Sequence, residues 1–166
     1  MPKIYTKTGD KGKSSLYTGE RVHKTDVIFD CLGTIDTCNA FIGLSMEYND
    51  DDKISKDLEL IMHDLMNIGS HVATRGDRIK FDSKNNSYME NEIDRMVEQL
   101  PPLKNFIICG GGKFSSHLHV ARTFVRSLER MLLKLEGLDV NVHKYVNRLS
   151  DYFFTLARYH SIVIKG

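Results

Sequence analysis

The chain has 166 residues, 41% hydrophobic and 27% charged, a balance that excludes disordered and fibrous classes and fits one globular domain. Lys and Arg number 23 against 22 Asp and Glu, and the formal charge of +1 is too small for a general nucleic-acid binder. The sum hides a gradient: residues 1–25 hold Lys3, Lys7, Lys11, Lys13, Arg21 and Lys24 against only Asp10 and Glu20.

Residues 1–24 are polar, with Gly9, Gly12 and Gly19, and predict an extended loop. They lack the apolar stretch of a signal peptide, so no removable leader is expected and the chain reads as cytoplasmic. Thr25 or Asp26 can cap a first helix with apolar positions Ile28, Cys31, Leu32, Ile35, Cys38, Ile42 and Met46. The acidic run 49–52 ends that helix and caps a second, whose Ile54, Leu58, Ile61, Leu65, Ile68 and Val72 form a heptad seam. Residues 75–86 read as a surface loop. Ser87 to Glu90 fits a capping box opening a short third helix that Pro101-Pro102 stops.

A short apolar run, Phe106 to Cys109, precedes Gly110-Gly111-Gly112. A fourth helix then carries Phe114, Leu118, Ala121, Val125, Leu128, Leu132 and Leu135, with Gly137 as its stop. A fifth carries Val142, Val146, Leu149, Phe153, Leu156, His160 and Val163. With no strong strand pattern, the expected fold is all-α: a bundle of four long helices and one short one, forming a single domain over 1–166. No apolar run approaches the ~20 residues of a membrane span. The odd cysteine count, Cys31, Cys38 and Cys109, without C-x-x-C, predicts reduced core thiols rather than a disulfide framework. His160 within a seam reads as a core or boundary histidine with one satisfied nitrogen.

Two features do not suit a plain bundle. Helix four has a second stripe, His119, Arg122, Arg126, Glu129 and Arg130, in which Arg122 has no acid at helical spacing and Arg126 has only Glu129, three residues on. Arginines without local partners beside a Gly-rich turn suit phosphate capture. The segment Thr6 to Ser15, with Gly and hydroxyl residues around lysines, suits a backbone nest for an anion. It is not a Walker loop, because Lys7 stands where the first Gly is required. In helix five Arg148 and Asp151 are spaced to pair. Neither a nucleophilic triad nor a His-rich metal site can be assembled, so the chemistry would come from the substrates.

Four co-linear motifs resemble those of the PduO-type ATP:cob(I)alamin adenosyltransferases. They are Lys3 to Gly12, Gly33 to Gly43 with Asp36, Phe106 to Gly111 with Leu118 to Arg130, and Tyr145 to Arg158. The resemblance implies a five-helix bundle, a homotrimer with sites between subunits, and transfer of the 5′-deoxyadenosyl group of ATP to cobalt. It assigns the ATP phosphates, with Mg²⁺, to Thr6, Thr8, Gly9, Asp10, Lys11, Gly12 and Lys24. It places Arg122, Arg126, Glu129, Arg130 and Asn147 at the ATP site, pairs Asp36 with Arg122 across the subunit boundary, and sets Phe106 against the lower face of cobalamin. A reductase and an adenosylcobalamin-dependent enzyme are the implied partners. The alternative is an ATP-binding regulatory or cofactor-delivery protein on the same scaffold. Cys109 departs from the family's usual Pro, Ser127 from a second arginine, and Thr37-Cys38 from Glu-Leu.

Overall fold

The computed structural model describes residues 4–76, 81–82 and 84–166. Lys3 and part of the 75–86 loop lie outside the described residues. Five α-helices follow a small β-hairpin: β1 (Lys13–Ser15), β2 (Arg21–His23), α1 (Val27–Met46), α2 (Asp52–Ala73), α3 (Lys84–Val97), α4 (Lys113–Leu132) and α5 (Val140–Tyr159). A π-helical turn, His160–Ile164, extends α5.

Helix starts follow local capping. The Asp26 carboxylate accepts from Ile28 N, and Asp51 from Lys53 N and Ile54 N. Asp139 does the same for Asn141 N at 2.8 Å. Each bond satisfies an amide that a helix start leaves orphaned. Helix α1 packs between α2 and α4, α4 against α5, and α5 against α3. Polar bonds then tie α3 back to α2: Tyr88 Oη donates to Asp57 at 2.6 Å and Asn85 to Asp64 at 2.8 Å.

The expected seams form the core. Ile54, Leu58, Ile61, Leu65, Ile68 and Val72 of α2 are all buried, as are Phe114 through Leu132 of the α4 seam. Each such side chain stabilises the fold by ~1.5–3 kcal/mol relative to exposure. Helix α1 has the length and apolarity of a membrane span, contrary to the sequence expectation, with a mean hydropathy of 1.4. Its buried stripe, Ile28, Cys31, Ile35, Cys38 and Ile42, lies within the bundle core and accounts for much of that apolarity.

Several expectations need correction. The N-terminal segment is not only a loop. Lys13, Ser14 and Ser15 pair antiparallel with His23, Val22 and Arg21. Leu16 and Val22 are buried and pin the hairpin to the bundle, while Arg75 grips Glu20 through two 3.1 Å bonds. Three-residue strands are too short to show alternation. Helix α3 begins at Lys84, before the capping box, because the Asp82 carboxylate accepts from Lys84 N at 2.9 Å. Helix α4 ends at Leu132, leaving Leu135 half-buried beyond it.

The α5 seam stops at His160. There the helix widens: Lys165 N donates to His160 O at 3.0 Å, an i to i+5 bond, and Val163 turns out to 39% exposure. His160 is buried as expected, but neither ring nitrogen has a hydrogen-bond partner among the described residues; its ring lies 4.1 Å from that of Phe114. Cys31 and Cys38 are buried thiols, whereas Cys109 is exposed and no core residue.

Candidate active site

The candidate residues fall into two groups. The first is the N-terminal loop. Gly12, at φ 76°, turns the chain so that its N–H reaches Gly9 O at 3.2 Å and its carbonyl accepts from Lys24 N at 2.8 Å. Arg21 clasps the loop from below, donating to Thr8 O at 2.8 Å and Lys13 O at 3.3 Å. The hydroxyls of Thr6 and Thr8 lie 2.8 Å apart. The Lys24 ammonium lies so close over Gly9 that a Cβ there would stand 3.0 Å from Nζ. Asp10 and Lys11 are exposed. Hydroxyls, a lysine and loop amides gathered at one turn form a cradle suited to phosphate oxygens.

The second group lies on α4 and α5. Arg122 is half-buried, its Nε is cut off from solvent, and it forms no hydrogen bond or ion pair among the described residues. Arg126 is exposed and equally unpaired. Asn147 Nδ2 donates to Glu129 Oε1 at 2.7 Å across the two helices, and Arg130 donates to Ser127 Oγ at 3.1 Å. Ser127 therefore steadies an arginine of this face. Arg148 pairs with Asp151 at 3.3 Å, as its spacing suggests, and also with Glu90 at 3.1 Å. These two ion pairs are structural ties to α3 and within α5.

Arg122 opens into a cavity of about 670 Å³ walled by Leu103, Phe106, Ile107, Cys109, His119 and Phe154, among others. Phe106 is fully exposed at 106% and Ile108 at 96%. An apolar wall facing one unpartnered guanidinium suits a large, partly apolar ligand carrying negative charge nearby. His119 is buried, and burial, reinforced by the Arg122 charge, holds its imidazole below the ordinary histidine range. His119 and Phe154 complete this wall. His119 belongs to the polar stripe visible in the sequence, whereas nothing in the sequence singles out Phe154 or the Arg21 clasp.

Asp36 is exposed and lines a different cleft, with Tyr17 and the α2 residues Met66, Gly69 and Ser70. Within one chain it forms no bond to Arg122, and the loop group forms none to the α4–α5 group among the described residues.

A sequence profile of the cobalamin adenosyltransferase family matches residues 4–160. The chain belongs to the cobalamin adenosyltransferase family. It is 44% identical to the human corrinoid adenosyltransferase MMAB, over 96% of this chain and 69% of that one. It is 41% identical to the Bacillus subtilis corrinoid adenosyltransferase, over 94% of this chain and 85% of that one. Among solved structures, a variant PduO-type ATP:corrinoid adenosyltransferase from Lactobacillus reuteri complexed with cobalamin and ATP superposes with a TM-score of 0.90. It is 34% identical and is covered to 93%, with 98% of this chain aligned. The expected all-α adenosyltransferase bundle is the observed fold.

Among the described residues no three His, Cys, Asp or Glu groups converge on a metal position. The paired hydroxyls of Thr6 and Thr8 and the exposed carboxylate of Asp10 are hard oxygen donors, the chemistry that would hold Mg²⁺ together with substrate phosphates.

Proposed function

We propose that this chain transfers the 5′-deoxyadenosyl group of ATP to the Co(I) centre of reduced cobalamin, giving adenosylcobalamin and triphosphate. The carrying observation is the cavity that joins an exposed apolar wall, Phe106 and Ile107, to the unpartnered Arg122. The Lactobacillus reuteri relative with cobalamin and ATP supports the pairing of these two ligands.

Co(I) is a strong nucleophile, so no side-chain base is required. Its electron pair forms the Co–C5′ bond as the C5′–O bond breaks, and the electrons of that bond leave on the triphosphate. The protein's task is placement, which contributes ~7–11 kcal/mol when reacting atoms are aligned. Thr6, Thr8, the amides around Gly9 and Gly12, Lys11 and Lys24 hold the phosphates. Arg122 and Arg126 meet the charge that develops on the leaving group. Mg²⁺, when bound, neutralises part of the triphosphate charge. Glu129, Arg130 and Asn147 position the nucleotide on the α4–α5 face. Phe106 occupies the space below the corrin and keeps water from the cobalt, which eases reduction of Co(II).

In this reading the active enzyme is a cytoplasmic homotrimer. Asp36 of one subunit pairs with Arg122 of the next, and the loop of one chain completes the α4–α5 face of another. The separate clefts of Asp36 and Arg122 support that arrangement. A reductase supplies Co(I), and an adenosylcobalamin-dependent enzyme takes the product.

The test is anaerobic incubation with ATP and chemically reduced cobalamin, following the cobalt spectrum. Appearance of adenosylcobalamin with release of triphosphate is expected. ATP binding without product would overturn the reading in favour of a regulatory protein.

A further inference from the structure

One wall of the cavity is the irregular segment 101–109, which carries Phe106; the other is helical, with His119, Arg122 and Phe154. The segment is almost wholly exposed, so its position depends on what holds its ends. Pro101 and Pro102 have no N–H to donate, and backbone bonding at the start of the segment is left to carbonyls. Arg158, in the last turn of α5, supplies the donor: its Nη2 reaches Pro101 O at 2.8 Å. Among the described residues no other hydrogen bond ties residues 101–109 to a helix. The far end is held by the π-helical turn that follows α5. Gly111, at φ 92°, packs so tightly on Ser161 that a Cβ would stand 2.6 Å from the serine Cβ, and Ser161 Oγ donates to Arg158 O at 3.2 Å. The Arg158 guanidinium also lies over the Phe154 ring, 5.9 Å from its centroid. One side chain thus touches both walls of the cavity.

We infer that Arg158 is a positioning residue for cobalamin, fixing Phe106 on the irregular wall relative to Phe154 on the helical wall and acting on the cobalt site through Phe106. The inference rests on the corrin occupying this cavity, as proposed above. Phe106 is wholly exposed, so no packing fixes its ring and its place is inherited from the backbone that carries it. It stands midway between the anchors at Pro101 and Gly111. Losing the Pro101 anchor leaves Phe106 tethered from Gly111 alone. A group that must keep water from the cobalt tolerates little displacement, since a shift of ~1 Å can cost up to ~100-fold in an aligned reaction. The choice of arginine follows from its shape. A planar guanidinium can donate in its plane to Pro101 O while it lies on an aromatic ring, whereas the compact ammonium of lysine serves one of these contacts at a time.

The experiment compares the intact wild-type protein with Arg158→Ala and Arg158→Lys, each alone and combined with Phe106→Ala. Binding of cob(II)alamin in the presence of ATP is read from the cobalt spectrum, and adenosylation of chemically reduced cobalamin, KM for ATP and Tm are measured alongside. Arg158→Ala should weaken cobalamin binding about tenfold, the order of one lost hydrogen bond from a charged group. It should also diminish the four-coordinate Co(II) signature at saturating cobalamin and leave KM for ATP unchanged. Arg158→Lys should fall between the two, and it carries the test if Arg158→Ala fails to fold. In the Phe106→Ala background Arg158→Ala should weaken binding by less than about twofold, because the group it positions is gone. A full tenfold effect in that background would overturn the inference, as would an unchanged Co(II) signature in Arg158→Ala. A parallel loss of ATP affinity and Tm in both Arg158 variants would overturn it too, making Arg158 a support of the fold. Absence of adenosylation by the wild-type protein strikes the proposed function and this inference with it, whereas wild-type turnover with indifferent Arg158 variants strikes only the Arg158 assignment.

Discussion

Asn147 of α5 donates its side-chain amide to the Glu129 carboxylate of α4 at 2.7 Å, joining the two helices on the face that carries Arg122 and Arg126. Because Asn147 is exposed, this bond orients Glu129 more than it stabilises the core. A single bond of this kind contributes ~0.5–1.5 kcal/mol. Asn147→Ala is therefore expected to raise KM for ATP by about two- to tenfold with little change in Tm. Steady-state kinetics with and without saturating cobalamin would show it, and an unchanged KM would remove Asn147 from the nucleotide site.

Arg122 carries charge into the cavity without an ion-pair partner among the described residues of its own chain. Arg122→Ala should lower kcat by about a hundredfold or more, the scale of losing one positioned donor to a leaving anion. The same change should leave thermal stability intact, since it removes a buried, unpaired Nε rather than a bond. Retained turnover would end the assignment.

Phe106 is wholly exposed, so Phe106→Ala should not shift Tm. It should weaken the spectroscopic signature of four-coordinate Co(II) and leave ATP affinity unchanged. A fall in ATP affinity instead would make Phe106 a support of the loop.

Gly111 has no room for a side chain and sits in a backbone region that favours glycine. Gly111→Ala should destabilise the fold by about 1–3 kcal/mol, read as a lower denaturant midpoint. Cobalamin affinity should fall with it, because the Phe106–Cys109 wall would shift. Full stability in this variant would show that Ser161 yields easily.

His160 and His119 are both held below the ordinary value of 6.5, chiefly by burial; for His160 the Lys165 charge adds to this, while Asp50 and Asp51 oppose it. As pH falls, the unfolded chain takes up protons before the folded one. Stability is therefore present above about pH 6.5 and declines as pH falls through the folded values. Melting curves from about pH 7.5 to about pH 5 should show this decline. His160→Phe should make it shallower, and an unchanged slope would absolve His160.

Much of the bundle was legible because its helices announce themselves twice, by periodicity and by caps. Asp26, Asp51 and the α2 seam stand where the sequence places them. Short-range cues failed where the deciding partner is distant or local geometry is unusual. Phe81, inside a polar stretch, is buried with its ring edge-on to Tyr145 at 4.9 Å, a contact that no window around residue 81 contains. The π-helical turn at His160 leaves no mark in the spacing of α5. In the candidate site, the unpaired arginines of α4 were visible as an anomaly of charge. The clasp of Arg21 on Thr8 O and the cavity wall of His119 and Phe154 needed three dimensions. Cys109, apolar in sequence company, is exposed because residues 101–109 run over the surface rather than into the core.

The separation of Asp36 from Arg122 has a genetic consequence. If, as in the proposed trimer, each catalytic station draws half its residues from either of two chains, lesions in different halves need not reinforce one another. A chain damaged at Asp36 and a chain damaged at Arg122, each inactive alone, should regain a fraction of activity when mixed and reassembled, because some stations would receive both intact halves. Two chains damaged at Arg122 and Arg126 should not complement, since both lesions fall in the same half.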